Sequence, residues 1–384
     1  MSNQIPHFKT HICYVSAESM PNLLLCLDPA LKPEKVYLLT SKEMIDNGKY
    51  DVLVQNFKKL NVEVEKKELA DISLFALQDF IKNFINSLPE EAISEYAFNI
   101  TGGTKLMTAA AIRACSELIE MFYVDTYKNK LFLLNEKKEY ALPNLCTVQN
   151  ILNSYGFVIS KRRPQNLDKG KIIQTLLNQY PDTIKKLNAV SAQAKDTLKA
   201  EIIQTNFQFD TLLEQCEEAK LLTRQGNTLR FADEESRSFC NGIWLEEHVH
   251  HALEQLKCHG QITDYEGSVE INYADRLISG SNKYPDNELD AVFVKNNILY
   301  LVECKTCKMD EAEKARDIVY KLDSLHDKIG GVFARGILIS LNKLTDKEKE
   351  HVKKNNLIAI DDRQKIKDVR KTFIEIFENE RRKR

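Results

Sequence analysis

Residues 285–306 read PDNELDAVFVKNNILYLVECKT. Two apolar runs, 289–294 and 298–302, are joined by Lys295-Asn296-Asn297, the composition of a tight hairpin turn. The spacing predicts two antiparallel strands, with Asp290 at the start of the first. On the second, Glu303 and Lys305 stand two apart, so the pleat puts both on one face. An acid and a lysine beside Leu299, Leu301 and Val302 are costly to bury unless they pair or bind an ion. The turn brings Asp290 alongside, and three charged groups converge at one end of the hairpin.

Two carboxylates beside main-chain oxygen make a hard-oxygen nest suited to Mg2+ or Mn2+. The candidate ligands are Asp290, Glu303 and the strand at Cys304. A metal held there polarises a phosphodiester and activates water, while Lys305 orients that water or offsets the charge at phosphorus. The preceding helix, SFCNGIWLEEHVHHALEQL (238–256), offers a third acid. On a helical projection Leu245, Val249, Ala252, Leu253 and Leu256 form the apolar face, with Glu246 at its edge and His250 one turn below. The same projection points Glu247 to solvent. Tyr320 and Lys321 on a later helix are placed to flank the site.

Composition fits soluble globular material: 43% hydrophobic and 29% charged residues over 384 positions, enough for two or three domains. The net charge of −2 argues against a broad basic surface of the kind that coats nucleic acid, so any such contact is expected to be local. Nine cysteines are scattered without a framework. Cys304 and Cys307 are close, but a structural zinc site needs two more ligands at matching spacing, and none accompanies them. With no apolar core in MSNQIPHFKTH and no stretch able to span a bilayer, the chain reads as a reduced, cytoplasmic protein with no membrane partner.

Upstream, strand-like runs (11–17, 36–41, 61–69, 96–100) alternate with helix-like ones, the pattern of a parallel sheet covered on both faces. The stretch 121–135 reads as two strands around a polar turn, and ISKRRPQNLDKG (159–170) as a linker. Helical patterns up to about 222, closed by the hairpin LLTRQGNTLRFAD (221–233), suggest a winged-helix-like connector. Domains are therefore expected at 1–158, 159–235 and 236–384. FNITGGTKLM (98–107) follows a strand and opens a helix. Its glycines let backbone approach an anion, and helix-start N–H groups favour phosphate. It is neither a Walker A loop nor GxGxxG, which makes NAD a poor candidate.

TGGTK after the fourth strand of a Rossmann-like domain resembles the CARF (CRISPR-associated Rossmann fold) sensor domain. NGIWLEEHVH, NELDAVFVKNNILYLVECKT and the later ARGILIS resemble the nuclease half of CARF–PD-(D/E)XK effectors of type III CRISPR systems. The order of a Glu-bearing helix, a hairpin with Asp and Glu-x-Lys, then another helix strengthens the match. The resemblance implies an α/β fold with a CARF domain, a connector and a restriction-endonuclease-like domain. It implies a homodimer that binds a cyclic oligoadenylate, foremost cyclic tetra-adenylate, and then cuts DNA or RNA with Mn2+ or Mg2+. Carried over by motif, Thr101, Gly102, Gly103, Thr104 and Lys105 hold the messenger. Ser16, Ala17, Ser19 and Asn22, with Thr40 and Ser41, complete the pocket at the strand ends, where open α/β sheets bind ligands. Glu246, Asp290, Glu303 and Lys305 form the catalytic set. Two other readings stand beside this one: a ligand sensor or transcriptional regulator whose connector binds DNA, and a stand-alone restriction or repair nuclease.

Overall fold

The computed structural model describes residues 4–115, 118–163, 169–178, 182–275, 285–306, 312–331 and 334–383. Among them, the strands form three sheets of seven, three and six members. In the first, β3 (Glu63–Leu69), β2 (Lys35–Ser41), β1 (Thr10–Tyr14), β4 (Tyr96–Asn99) and β5 (Glu120–Asp125) run parallel in that spatial order. β6 (Lys130–Leu133) and β7 (Lys138–Ala141) extend it antiparallel. β1 is buried along its whole length, with Ile12 and Tyr14 in one apolar cluster and Cys13 and Val15 in another. That is why apolar residues follow one another from Ile12 to Val15 and do not alternate.

The connector packs helices Gly170–Asn178, Asp182–Gln193 and Phe207–Glu218 against a small sheet. That sheet holds β9 (Lys199–Glu201), β11 (Thr228–Phe231) and β10 (Leu222–Gln225), so the expected hairpin gains a short third strand.

The third sheet has the order β16 (Ile358–Ile360), β15 (Ala334–Ser340), β14 (Ile298–Lys305), β13 (Asn287–Lys295), β12 (Asp264–Tyr273), β8 (Phe157–Arg162). Residues 159–162, expected in a linker, belong instead to β8, the edge strand of this sheet, antiparallel to β12. Basic side chains there pair with acids on β12, Lys161 with Glu270 and Arg162 with Glu266, so charge marks a strand edge and not an open chain. Residues 164–168 of the expected linker lie outside the described residues. Asp290, expected at the start of its strand, is the fourth residue of β13.

The two faces of this sheet pack on neighbours from both halves of the chain. Ala291, Phe293 and Val302 share a core with Leu187 and Leu212 of the connector. Val292, Leu299 and Leu301 share another with Met20, Leu24 and Ile151 of the N-terminal domain. The β13–β14 turn also reaches that domain. The Asn297 side chain, 1% exposed, accepts from the Leu145 and Cys146 N–H groups at 3.0 Å each. It donates to Asn129 Oδ1 at 2.8 Å and Pro143 O at 2.9 Å. Each such bond contributes about 1 kcal/mol. No helix among the described residues is long and apolar enough to cross a membrane.

The expected helix from 238 is broken at Gly242, which has φ +136° and precedes the regular helix Trp244–Cys258. A Cβ there would stand 2.4 Å from Thr306 Oγ1. Gly242→Ala is expected to cost about 1–3 kcal/mol through backbone strain alone, read as a lower urea midpoint with an unchanged slope.

Candidate active site

β13 and β14 pair Ala291 with Val302, which sets Asp290 and Glu303 side by side where the ladder ends. The Cys304 N–H donates to Asp290 Oδ2 at 2.7 Å, fixing one carboxylate across the hairpin. Lys305 Nζ lies 2.7 Å from Glu303 Oε1 and 3.9 Å from Asp290 Oδ2. Burial, reinforced by the Glu303 charge, pushes the Asp290 carboxyl up to about 6. Burial alone would lower Lys305, but Asp290 and Glu303 outweigh it and hold the ammonium above its ordinary value. Lys321 adds a second cation 3.5 Å from Glu303 Oε1, while Tyr320 turns edge-on to His351.

Glu246 closes the group from the Trp244–Cys258 helix. Burial, with Asp290 beside it, pushes its carboxyl up to about 8. Its Oε2 accepts from Ser268 Oγ at 3.0 Å and lies 3.3 Å from Arg163. Four residues on, His250 donates from Nε2 to the Asp290 carbonyl at 2.8 Å, so this helix both supplies an acid and braces another. Glu247 does not point to solvent. Its carboxylate is mostly buried, 3.8 Å from Lys169, and burial raises it to about 7. A projection of one helix cannot see the earlier segment, bearing Lys169, that covers that face.

Sequence reasoning also missed Ser268. It sits in β12 at φ +47°, between the Gly267–Ala291 and Val269–Leu289 pairs, a left-handed kink that aims its hydroxyl at Glu246. The Cys304 thiol is buried and Cys307 lies outside the described residues. Among the described residues, no three His, Cys, Asp or Glu side chains are gathered closely enough to hold a metal ion as they stand. Lys305 stands between two of the acids. A cleft of about 640 Å³ reaches Glu246, Cys304 and Lys305, with Lys185 and Asn188 of the connector on its wall. A larger crevice of about 1200 Å³, between Glu18 and Thr126 on one side and Arg335 and Lys349 on the other, holds none of these acids.

In the N-terminal domain the expected ligand residues divide in two. Ala17, Gly103, Thr104 and Lys105 are exposed, and Ser16 and Ser41 half-buried, at the ends of β1, β2 and β4. Gly103 has φ +87°, and a Cβ on Gly102 would press on Ser16 Oγ at 3.1 Å, so the glycines keep the loops close. Asn22, Thr40 and Ser19 are buried. Asn22 donates to Tyr14 O at 2.8 Å and accepts from Asn99 at 2.9 Å, bracing the loop from behind. Asn99, not read as functional, also accepts from Thr101 Oγ1 at 2.6 Å, and that oxygen accepts from Val124 N at 2.8 Å. Ser41 caps the next helix at Met44 N. Beside this pocket, the Tyr155 hydroxyl lies between the Glu18 carboxylate and the Gly330 carbonyl.

A doubly wound sheet with a TGGTK loop, joined to a sheet that gathers Asp290, Glu303 and Lys305, defines a Rossmann-like sensor domain coupled to a restriction-endonuclease-like domain. Residues 10–151 match the family model of the Card1 CARF domain, and residues 233–377 that of the Card1-like endonuclease domain. Together they take in most of the chain, which belongs to the Card1-like CARF-domain endonucleases. No curated protein matches it. Among solved structures it is similar to protein VC1899 from Vibrio cholerae (23% identity, 97% of this chain, 98% of that chain, TM-score 0.83). It is also similar to Can2 from Sulfobacillus thermosulfidooxidans, solved with cyclic tetra-adenylate (23%, 94% and 95%, 0.75). A third likeness is to a type III CRISPR defence DNA nuclease activated by cyclic oligoadenylate (16%, 91% and 52%, 0.55). These likenesses establish the fold.

Glu246 holds its proton to about pH 8 when folded and to 4.5 in its ordinary state. A raised carboxyl contributes stability that is present below the unfolded value and lost as pH rises through the folded one. Glu246→Gln is therefore expected to gain melting temperature over the parent progressively from pH 5 to pH 8. An equal gain at both ends, in thermal scans without metal, would remove Glu246 from the buried acid group.

Proposed function

We propose that this chain is a metal-dependent nuclease switched on by a cyclic oligoadenylate, with cyclic tetra-adenylate as the activator. It acts as a homodimer in type III CRISPR antiviral defence, on DNA, RNA or both. The observation that carries the reading is the convergence of Asp290, Glu303 and Lys305 at the buried end of one hairpin, in a chain whose other half presents TGGTK. The likeness to Can2 and to the cyclic oligoadenylate-activated DNA nuclease supports the activator class. The eight described cysteines are all free, as suits the reducing cytoplasm.

The donor set suits a hard cation by its chemistry: three carboxylates, two of them buried deeply enough, and close enough to another acid, for their protons to bind unusually tightly. Glu246, Asp290 and Glu303, with the main chain at Cys304, would hold Mn2+ or Mg2+. When bound, the ion supplies Lewis-acid polarisation of the phosphodiester and a water of lowered pKa. The chain's own residues do the rest. Lys305 stays protonated and presents its ammonium to the charge that grows on the phosphate. Lys321, half exposed beside Glu303, meets the incoming phosphate. His250 and Ser268 hold Asp290 and Glu246 in place.

The dimer reading rests on exposed apolar side chains beside the TGGTK loop. Phe75, Leu106 and Ile112 stand out from the packed helices Leu74–Asn86 and Lys105–Cys115. A ring with two-fold symmetry needs the same pocket twice, and a two-fold dimer provides it.

Purified protein with Mn2+ is expected to cut nucleic acid when cyclic tetra-adenylate is added and to idle without it; equal cutting in its absence would sink the gating. Glu303→Ala and Lys305→Ala each lower the activated rate by about a hundredfold or more, measured on single-stranded DNA, RNA and supercoiled duplex. Mn2+ affinity, followed by calorimetry, tightens from about pH 6 to about pH 8 as Asp290 and Glu246 shed protons. An affinity flat across that window would exclude these two as ligands.

A further inference from the structure

We infer that Asn297 is a positioning residue that ties the catalytic hairpin to the sensor domain, so that a shift at the TGGTK loop is delivered to Asp290 and Glu303. The inference rests on the activator-gated reading above. Asn296 and Asn297 both adopt left-handed backbone, at φ +51° and +59°, as a two-residue hairpin turn demands. Glycine would fill such a position at less conformational cost. What asparagine adds at 297 is its amide, and every hydrogen-bonding capacity of that amide is used: two N–H groups received and two donated. All four partners, Asn129, Pro143, Leu145 and Cys146, lie within the stretch matched by the CARF model.

The sensor side of this contact leads back to the ligand loop. Thr101 of TGGTK accepts from Val124 N on β5. Asp125 then pairs with Lys130 across the β5–β6 turn, and Asn129 lies in that turn. Asn129 is itself left-handed, at φ +53°, and donates to Leu142 O at 2.9 Å beside the other Asn297 partners. On the nuclease side, β14 is buried from Ile298 to Cys304 and held between β13 and β15. Six residues of strand separate Asn297 from Glu303, roughly 20 Å at ordinary strand rise. A close-packed strand pair of that length moves as a body and does not bend. A displacement of the β5–β6 turn is therefore carried along the strands to the acids, working against the His250–Asp290 carbonyl bond that ties them to the Glu246 helix.

Asn297→Gly keeps the left-handed turn and removes all four bonds; Asn296→Gly is the matched control. Two readouts are taken: the ratio of cutting with and without saturating cyclic tetra-adenylate, and hydrogen exchange of the 290–305 amides without activator. In Asn297→Gly, which loses the four hydrogen bonds of a buried side chain, the activation ratio is expected to fall about tenfold or more and hairpin exchange to quicken about tenfold or more. Asn296→Gly should stay within about twofold of the parent on both. Wild-type ratio and exchange in Asn297→Gly would overturn the inference. A parent enzyme that ignores the activator would overturn the functional reading, leaving exchange to decide the tether. Should Asn297→Gly not fold, Asn297→Asp keeps both accepted bonds and loses both donated ones. It is expected to lose part of the ratio, and a full wild-type ratio there would overturn the tether.

Discussion

The pairing of β13 with β14 is the constraint on which the rest of the molecule depends. Its register, Ala291 opposite Val302, decides that Val292 and Leu301 meet the sensor side and Phe293 and Tyr300 the connector side. A slip by one residue would turn every side chain to the opposite face and bury Asp290 and Glu303 among the wrong neighbours. The same register brings the Cys304 N–H to Asp290, so the backbone that builds the sheet also orients the acid.

Charge in the site is balanced locally. Three carboxylates, Glu246, Asp290 and Glu303, face three cations, Arg163, Lys305 and Lys321, each drawn from a different part of the chain. Arg163 continues from β8 with its N–H on Ser268 O. Lys305 shares the strand of Glu303, and Lys321 comes from the helix Ala312–Ile329. Burial of so many charges is tolerable because each has a counter-charge or a dipole at hand. The balance is uneven within the group, since burial leaves Glu246 and Asp290 holding protons tightly while Lys305 stays charged.

Much of this was legible in the sequence because its signals are short-range. Two apolar runs around Asn-Asn announce a hairpin, and Glu-x-Lys on a strand announces a shared face. TGGTK between a strand and a helix announces a glycine-shaped turn at the strand ends. The rest depends on partners far along the chain. Ser268 reads as an ordinary strand serine until its left-handed kink places it against Glu246. Asn297 reads as a turn former, since nothing local says its amide ends in another domain. Basic residues at 161–163 read as a linker because the acids that neutralise them lie about a hundred positions away. Glu247 was assigned to solvent from its own helix, and Lys169 reverses that.

The apolar cores on the two faces of the nuclease sheet have an evolutionary meaning. One is continuous with the connector and the other with the sensor, so neither is private to the catalytic half. A gene fragment encoding the nuclease alone would carry a sheet with both oily faces partly stripped. Exchange of sensors among such proteins is then not a matter of swapping beads on a string. An incoming domain must arrive with a matching apolar surface, and the grammar of recombination is written in side-chain volume as much as in ligand choice.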